Sequence, residues 1–319
     1  MIISNDNFAH TPVLLKESIN LFPNQKNTIF IDGTFGDGGH TRALLEKNKT
    51  CKVYAIDRDP SVKKKAVFFQ KKYNKRFKFI LGKISDLEII ANREKLVNKV
   101  TGVIFDLGVS TRQLKDSKRG FSFQKDGPLD MRMSDTGLTV EEFINSNGEK
   151  NIADILFNYG EEKSSRKIAK AIITYKKKKR ILSTLELVGI IKSVKKSRTK
   201  RSINPATKTF QALRIYVNDE INELKEGLIS AINILKKKGV LAIISFHSIE
   251  DRIVKNFFKK HSGKIYNKSR YLPQLQPNNN IEDNLRIITK KVIKPMKKEI
   301  ESNYYSRSAK LRAAEKKWF

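Results

Sequence analysis

Two features of this chain have residue types and spacing suited to holding a charged small molecule. The first is the run Gly33-Thr-Phe-Gly36-Asp37-Gly38-Gly39. Glycines let backbone amides approach a ligand closely, because no Cβ stands in the way. The dinucleotide pattern G-x-G-x-x-G fails, since counting from Gly36 and Gly38 the third position is Thr41. Asp37 puts a negative charge inside the loop, where it repels a pyrophosphate but not a ligand carrying an ammonium and a sulfonium. S-adenosylmethionine therefore fits the loop better than NAD. The second feature is Asp57, about 20 residues further on, where a carboxylate accepts hydrogen bonds from both hydroxyls of a ribose. The competing role for Asp57 is to cap the helix that Pro60 opens.

The elements that must position these groups are legible as alternating apolar runs and helical stretches. Strand-like runs at 28–32, 52–57, 77–81 and 101–106 alternate with helical stretches, which points to a parallel sheet with crossover helices. The glycine run leaves the first strand and opens the helix at 41–47. The fourth strand is apolar on both faces, as a central parallel strand must be, and it ends at Asp106-Leu-Gly-Val-Ser110 beside the crevice where such sheets bind ligands. Asp106 is expected to face the cofactor. The Pro-Pro-aromatic sequence that amino-group methyltransferases commonly carry here is absent. Alternation then stops until a fifth strand at 239–246, with His247 just beyond it at the same edge as Asp32 and Asp106. His247 reads either as a catalytic group or as a structural hydrogen-bonder. The gap holds a Gly- and Asp-rich stretch around 120–137, where Asp130 either contributes to catalysis or, with Arg132, pins the insert to the catalytic domain through an ion pair, and then helical periodicity. The expected organisation is a parent α/β domain, 1–110 and 205–319, with a helical insert at 111–204. An amphipathic segment at 207–238, closed by Gly239, leads back into the sheet. A loop at 273–280 and two last strands within 285–318 complete the chain.

The 319 residues carry 65 Lys and Arg against 33 Asp and Glu, a formal net charge of +32. With 39% hydrophobic residues the chain can bury a sizeable core, which excludes global disorder. The charge is unevenly placed. Residues 1–60 are formally neutral, whereas 163–201 hold +14. The run Lys176-Lys-Lys-Lys-Arg180 and the cluster 192–201 suit RNA phosphates, and Arg307, Lys310 and Arg312 extend the track. Tyr304 and Tyr305 read as a stacking pair or as core. The single cysteine, Cys51, allows no internal disulfide and no cysteine-based structural zinc site. No apolar run reaches the roughly 18 residues of a membrane span, and the N-terminus lacks a signal-peptide pattern, so a cytoplasmic location is expected.

In order and spacing, the motifs form a recognisable set: His10-Thr-Pro-Val-Leu, Asp32-Gly-Thr-Phe-Gly-Asp-Gly-Gly-His40, Ala55-Ile-Asp-Arg-Asp-Pro60, Asp106-Leu-Gly-Val-Ser110, Arg119-Gly-Phe-Ser-Phe123, Gly127-Pro-Leu-Asp-Met-Arg-Met133, Asn204 to Arg214, and Ser245-Phe-His-Ser-Ile-Glu-Asp-Arg252. From about His10 to Arg312 the chain resembles the bacterial methyltransferases that modify the N4 amino group of a cytidine in the decoding region of small-subunit ribosomal RNA. The resemblance implies a Rossmann-like class I methyltransferase sheet and S-adenosylmethionine as cofactor. It also implies that Gly38, Gly39 and His40 contact the methionine end, Asp57 the ribose, and Ile84 and Asp106 the adenine side, with Gln113 a further cofactor position. Where the family often has an aromatic residue, this chain has Ile84. The expected reaction is in-line methyl transfer to N4, with the cytidine drawn out of its stack and no metal or covalent intermediate required. His247 and Asp130 are the candidate catalytic residues. Competing readings are a methyltransferase for another nucleic acid, a non-catalytic RNA-binding ribosome-assembly factor, and an NAD-dependent oxidoreductase, which Thr41 argues against.

Overall fold

A computed structural model of the chain describes residues 12–195, 204–263 and 283–318. His10 at the head of the first motif, most of the cluster 192–201, and the loop at 273–280 lie outside the described residues. The chain divides into two compact units, one running to Gly108 and resuming at Asn222, the other Val109–Ile221.

In the first unit the elements run α1 (Leu15–Asn20), β1 (Ile29–Asp32), α2 (Gly39–Lys47), β2 (Lys52–Asp57), α3 (Lys63–Tyr73), β3 (Phe77–Leu81), α4 (Leu87–Arg93) and β4 (Val100–Asp106). The helical unit holds α5 (Thr111–Lys115), α6 (Val140–Ser146), α7 (Glu149–Gly160), α8 (Ser165–Lys176), α9 (Thr184–Val194) and α10 (Thr207–Val217). The chain returns through α11 (Glu220–Ile234), β5 (Leu235–Ser245), α12 (Ser248–Lys260), β6 (Leu285–Ile287), α13 (Lys297–Ser302) and β7 (Lys310–Lys316).

The seven strands form one sheet in the order β3-β2-β1-β4-β5-β7-β6. Strands β1 to β5 pair in parallel and β7 runs antiparallel between β5 and β6. Side chains alternate across each strand. Phe30, Val53, Ala55, Ile104 and Ala242 enter one buried layer with Leu44 and Leu45 of α2 and Phe69 of α3. Their strand neighbours Ile31, Ile56, Val103, Phe105 and Ile243 enter the other, with Leu87 of α4, Leu228 of α11 and Phe258 of α12. Each of the larger side chains, the alanines excepted, contributes roughly 1.5–3 kcal/mol on leaving water. The sheet is thus fixed from both faces, and its C-terminal edge is rigid ground for a site. Cys51 belongs to the first layer and is fully buried, where desolvation raises its thiol pKa.

The segment expected as one helix closed by Gly239 is two helices and the start of a strand. Asp219 takes a left-handed turn (φ 50°) between α10 and α11, and Gly239 lies inside β5, where the register to β4 shifts between Val100 and Gly102. The break is stabilised by Asn218, whose amide donates to the Met131 carbonyl (2.7 Å) while its Oδ1 accepts from the Met133 amide (2.7 Å). Assigned to the parent domain on sequence, α10 packs instead on α7 within the helical unit. That unit has its own core, built on Phe143, Ile152, Leu156, Ile168, Leu187 and Phe210.

Lys176 of the basic run points inward. Its Nζ donates to the carbonyls of Ile144, Asn145 and Asn147, ending α6, so it is no phosphate ligand. Lys179 pairs with Glu186 and Arg180 with Glu141, both at 2.7 Å, while Lys177 and Lys178 are exposed. Tyr304 and Tyr305 are not core but exposed, with the Arg307 guanidinium over the Tyr304 ring at 4.1 Å. Among the described residues, no helix is long and apolar enough to cross a membrane.

Candidate active site

Because β1, β2, β4 and β5 are parallel, their last residues Asp32, Asp57, Asp106 and Ser245 share one edge of the sheet. The glycine loop leaves β1 at this edge. Gly38 has φ 78°, and a Cβ there would stand 2.5 Å from the Phe69 ring; a Cβ on Gly39 would stand 2.0 Å from Cγ of Pro12. Both positions therefore require glycine, and the loop amides are held close against the edge.

Asp57 anchors that loop. Its Oδ2 accepts from the Gly36 amide (2.7 Å) and its Oδ1 from the Asp59 amide (2.8 Å). The helical turn opened by Pro60 is capped by Asp59, which accepts from the Ser61 amide at 2.9 Å, so the capping role weighed for Asp57 belongs to its neighbour.

Asp32 is buried beneath the loop. Its carboxylate accepts from the Thr41 hydroxyl (2.7 Å) and the Thr34 amide (3.2 Å), and Thr34 in turn accepts from the Asp106 amide (2.6 Å). Burial raises the Asp32 carboxyl to about 6 against these stabilising bonds. Asp106 is pushed well above its ordinary value, by burial first and then by the charges of Asp32 and Glu250. A quarter of its side chain is accessible, yet Oδ1 is buried with no hydrogen-bond partner and Oδ2 lies 3.8 Å from Nδ1 of His40. His40 is itself buried, and desolvation lowers it to about 4 although the Val13 backbone acts in the opposite sense. Its ring is neutral at physiological pH, and Nε2 has no partner. Two carboxylates crowded at one edge, one oxygen and one imidazole nitrogen left without hydrogen bonds, and a glycine cradle form a donor set that fits a cationic ligand with an amino-acid end. S-adenosylmethionine meets that description, and a pyrophosphate does not.

Ile84 stands by the loop, 3.0 Å from where a Cβ of Gly33 would lie and 3.1 Å from one on Gly227. His247 is the N-cap of α12. Its Nδ1 accepts from the Glu250 amide (3.4 Å), while Glu250 Oε2 accepts from the amides of Phe246 (2.8 Å) and His247 (3.3 Å). Nε2 of His247 lies 3.1 Å from Glu250 Oε1. Gln113 and Asp130 belong to the helical unit. Gln113 is buried and closes a capping box with Ser110 at the start of α5. Asp130 is gripped by the Arg132 fork at 2.9 and 2.8 Å, and although burial opposes it, this pairing lowers its pKa. The pair is internal to the loop, since Arg132 also holds the Gly137 carbonyl.

Sequence reasoning did not single out Asp32 or Glu250. Glu250 had a signal, because His247-Ser-Ile-Glu250 has capping-box spacing with histidine in the usual Ser or Thr position. Asp32 had none beyond its place at the end of β1.

A doubly layered sheet with a glycine loop after β1, an acidic residue after β2 and a buried carboxylate after β4 is a Rossmann-like class I methyltransferase fold. Comparisons with known proteins agree. The chain belongs to the MraW methylase family, whose profile matches residues 7–317. It is 48% identical over 308 residues to "Ribosomal RNA small subunit methyltransferase H" of Rickettsia conorii, covering 96% of this chain and 97% of that one. The protein of the same name from Rickettsia canadensis is 49% identical over 310 residues, covering 96% and 97%. Among solved structures, an rRNA methylase from Streptococcus thermophilus aligns over 95% of this chain and 93% of its own at 11% identity, with a TM-score of 0.40, too distant to bear on this chain.

Proposed function

We propose that the chain transfers a methyl group from S-adenosylmethionine to the N4 amino group of a cytidine in the decoding region of small-subunit ribosomal RNA. The observation that carries the reading is the polar edge of the sheet, where Asp57 pins the glycine loop and Asp106 and His40 leave buried polar atoms unpartnered. Family membership and the names of relatives nearly half identical over almost the full length supply the reaction class and the substrate.

The cofactor supplies an activated methyl group. Asp57 binds the ribose, the amides of Gly38 and Gly39 with His40 take the amino-acid end, and Asp106 with Ile84 flanks the adenine side. Gln113 is a further cofactor contact. The exocyclic nitrogen of cytosine is a poor nucleophile because its lone pair is delocalised, so it must be aligned and must have its proton accepted as charge develops. His247 is assigned the alignment: Glu250 holds its ring at both nitrogens, Nδ1 accepting from the Glu250 amide and Nε2 facing the Glu250 carboxylate, so the proton passes to water and not to the imidazole. Asp130 acts through Arg132, holding the glycine-flanked loop instead of touching the base. The exposed lysines of the helical unit, Lys177 and Lys178 among them, take RNA phosphates, which positions the substrate without reading its sequence.

The test is labelled methyl transfer to small subunits lacking the modification, followed by nucleoside mass analysis. N4-methylcytidine is expected. Product at a uridine or adenosine refutes the base assignment, and unchanged turnover in His247→Ala with normal cofactor binding removes His247 from the mechanism.

A further inference from the structure

A second basic feature lies on the first unit, away from the strand ends that carry the cofactor site. One face of α12 and the outer strands β6 and β7 enclose a cavity of about 440 Å³. Its floor is apolar, formed by Phe258, Leu285 and Ile287. Its rim is cationic: Lys255 and Lys259 from α12, Arg286 and Lys290 from β6 and the residues after it, and Arg312 and Lys317 from β7 and its end. Among the described residues no carboxylate lines it. Three of these cations are tied at the margin, Arg312 to Asp251 (2.7 Å), Arg286 to Glu315 (2.9 Å) and Lys317 to Asp283 (2.5 Å). Lys255 and Lys290 are exposed and make no ion pair among the described residues.

An apolar floor under a one-signed rim suits a ligand with a flat apolar part and a chain of negative charge, as single-stranded nucleic acid presents. The position along the helix narrows it further. His247 caps the N-terminus of α12, and at 1.5 Å per residue Lys255 and Lys259 stand about 12 and 18 Å along the same helix. Stacked nucleotides advance about 3.4 Å each along one strand, so the interval is roughly four or five nucleotides.

The geometry points to this groove as a docking site for the single-stranded RNA flanking the methylated base, with phosphates on Lys255 and Lys290 and a base on the Phe258, Leu285 and Ile287 floor. The inference rests on the reading of the chain as a ribosomal RNA methylase and adds a substrate subsite on the sheet unit, separate from the lysines of the helical unit. It places the strand along α12, so the helix that presents His247 also sets how far the target lies from its flanking anchor.

The test uses the full-length double variant Lys255→Glu with Lys290→Glu, both exposed positions. S-adenosylmethionine binding by calorimetry and the melting temperature are expected to match the parent. In methyl transfer to unmodified small subunits, KM is expected to rise at least about tenfold with kcat within about twofold. The slope of log kcat/KM against log salt should become shallower by about 1.4, from two lost single-strand phosphate contacts. An unchanged KM and salt slope overturns the groove. If the parent itself methylates no ribosomal RNA, the function reading fails separately, and the groove is judged by anisotropy of a labelled 12-nucleotide single-stranded RNA. Equal affinity in parent and variant overturns it there too. A benzophenone side chain at Ile287 is expected to cross-link to RNA in the bound complex. Cross-linking only to an acidic protein, or back into residues 264–282 of this chain, shows that the groove has another occupant and overturns the assignment.

Discussion

At the residue scale the defining feature is the paired acidity of Asp32 and Asp106. Asp32 is 1% exposed and its carboxyl is raised from 3.8 to about 6, with burial the leading cause. Between about pH 4 and 6 the folded chain holds a proton that the unfolded chain releases. The resulting stabilisation is complete below the unfolded value and is lost as pH rises through about 6, roughly 3 kcal/mol at order of magnitude. Asp106 shifts in the same direction. A bound cation reverses the preference, because it favours both carboxylates ionised. Affinity for S-adenosylmethionine is therefore expected to rise with pH, increasing on the order of tenfold from pH 5 to pH 7 with proton release, while the cofactor-free chain becomes less stable over the same range. Calorimetry in two buffers of different ionisation enthalpy measures both, and a flat affinity profile would show that neither carboxylate feels the charge of the bound cofactor.

Elements decide which of these groups can work together, and they also show how far the sequence could be read. Strands β2 and β3 fall at 52–57 and 77–81 as the apolar runs predict, since each is bounded by polar turns and by helices of clear periodicity. The break at Asn218 and Asp219 was not legible, because no glycine or proline marks it and its cause is a hydrogen-bond partnership with Met131 and Met133 far away in the chain. The fate of Lys176 was hidden for the same reason, as a lysine in a run of four looks like its neighbours until the end of α6 arrives beside it. In the site, the glycine loop and Asp57 were visible by spacing, but the bond from the Gly36 amide to Asp57 depends on tertiary approach. The start of α12 gives an element-scale prediction. Glu250 satisfies two amides and orients His247, so Glu250→Ala is expected to lose about 1–2 kcal/mol in urea unfolding. Glu250→Gln keeps an acceptor oxygen and should lose less than half of that. Equal losses in both would mean that the charge, not the capping geometry, holds the corner.

At the scale of the whole molecule the excess of +32 resolves into separate local arrangements. Acidic groups gather where β1, β2 and β4 end, exposed lysines stand on the helical unit, and the α12 groove carries cations over an apolar floor. The two-unit division has a further consequence for how the chain is made. β4 pairs with β5 in the middle of the sheet, Gly102 beside Val240, and the whole of Val109–Ile221 is synthesised between them. That intervening unit is continuous in sequence and has its own core, whereas the unit carrying the sheet is split. Local contacts close faster than distant ones, and domains of a growing chain fold as units. Expressed alone, residues 109–221 are expected to unfold cooperatively on heating, monitored by circular dichroism, while a chain stopped at residue 221 should melt only that unit. The seam of the sheet would then be its last joint to close. During synthesis the methylase would pass through a stage in which a finished helical body trails a half-built sheet whose β4 edge still waits for its partner, the stage at which a chaperone has most to protect.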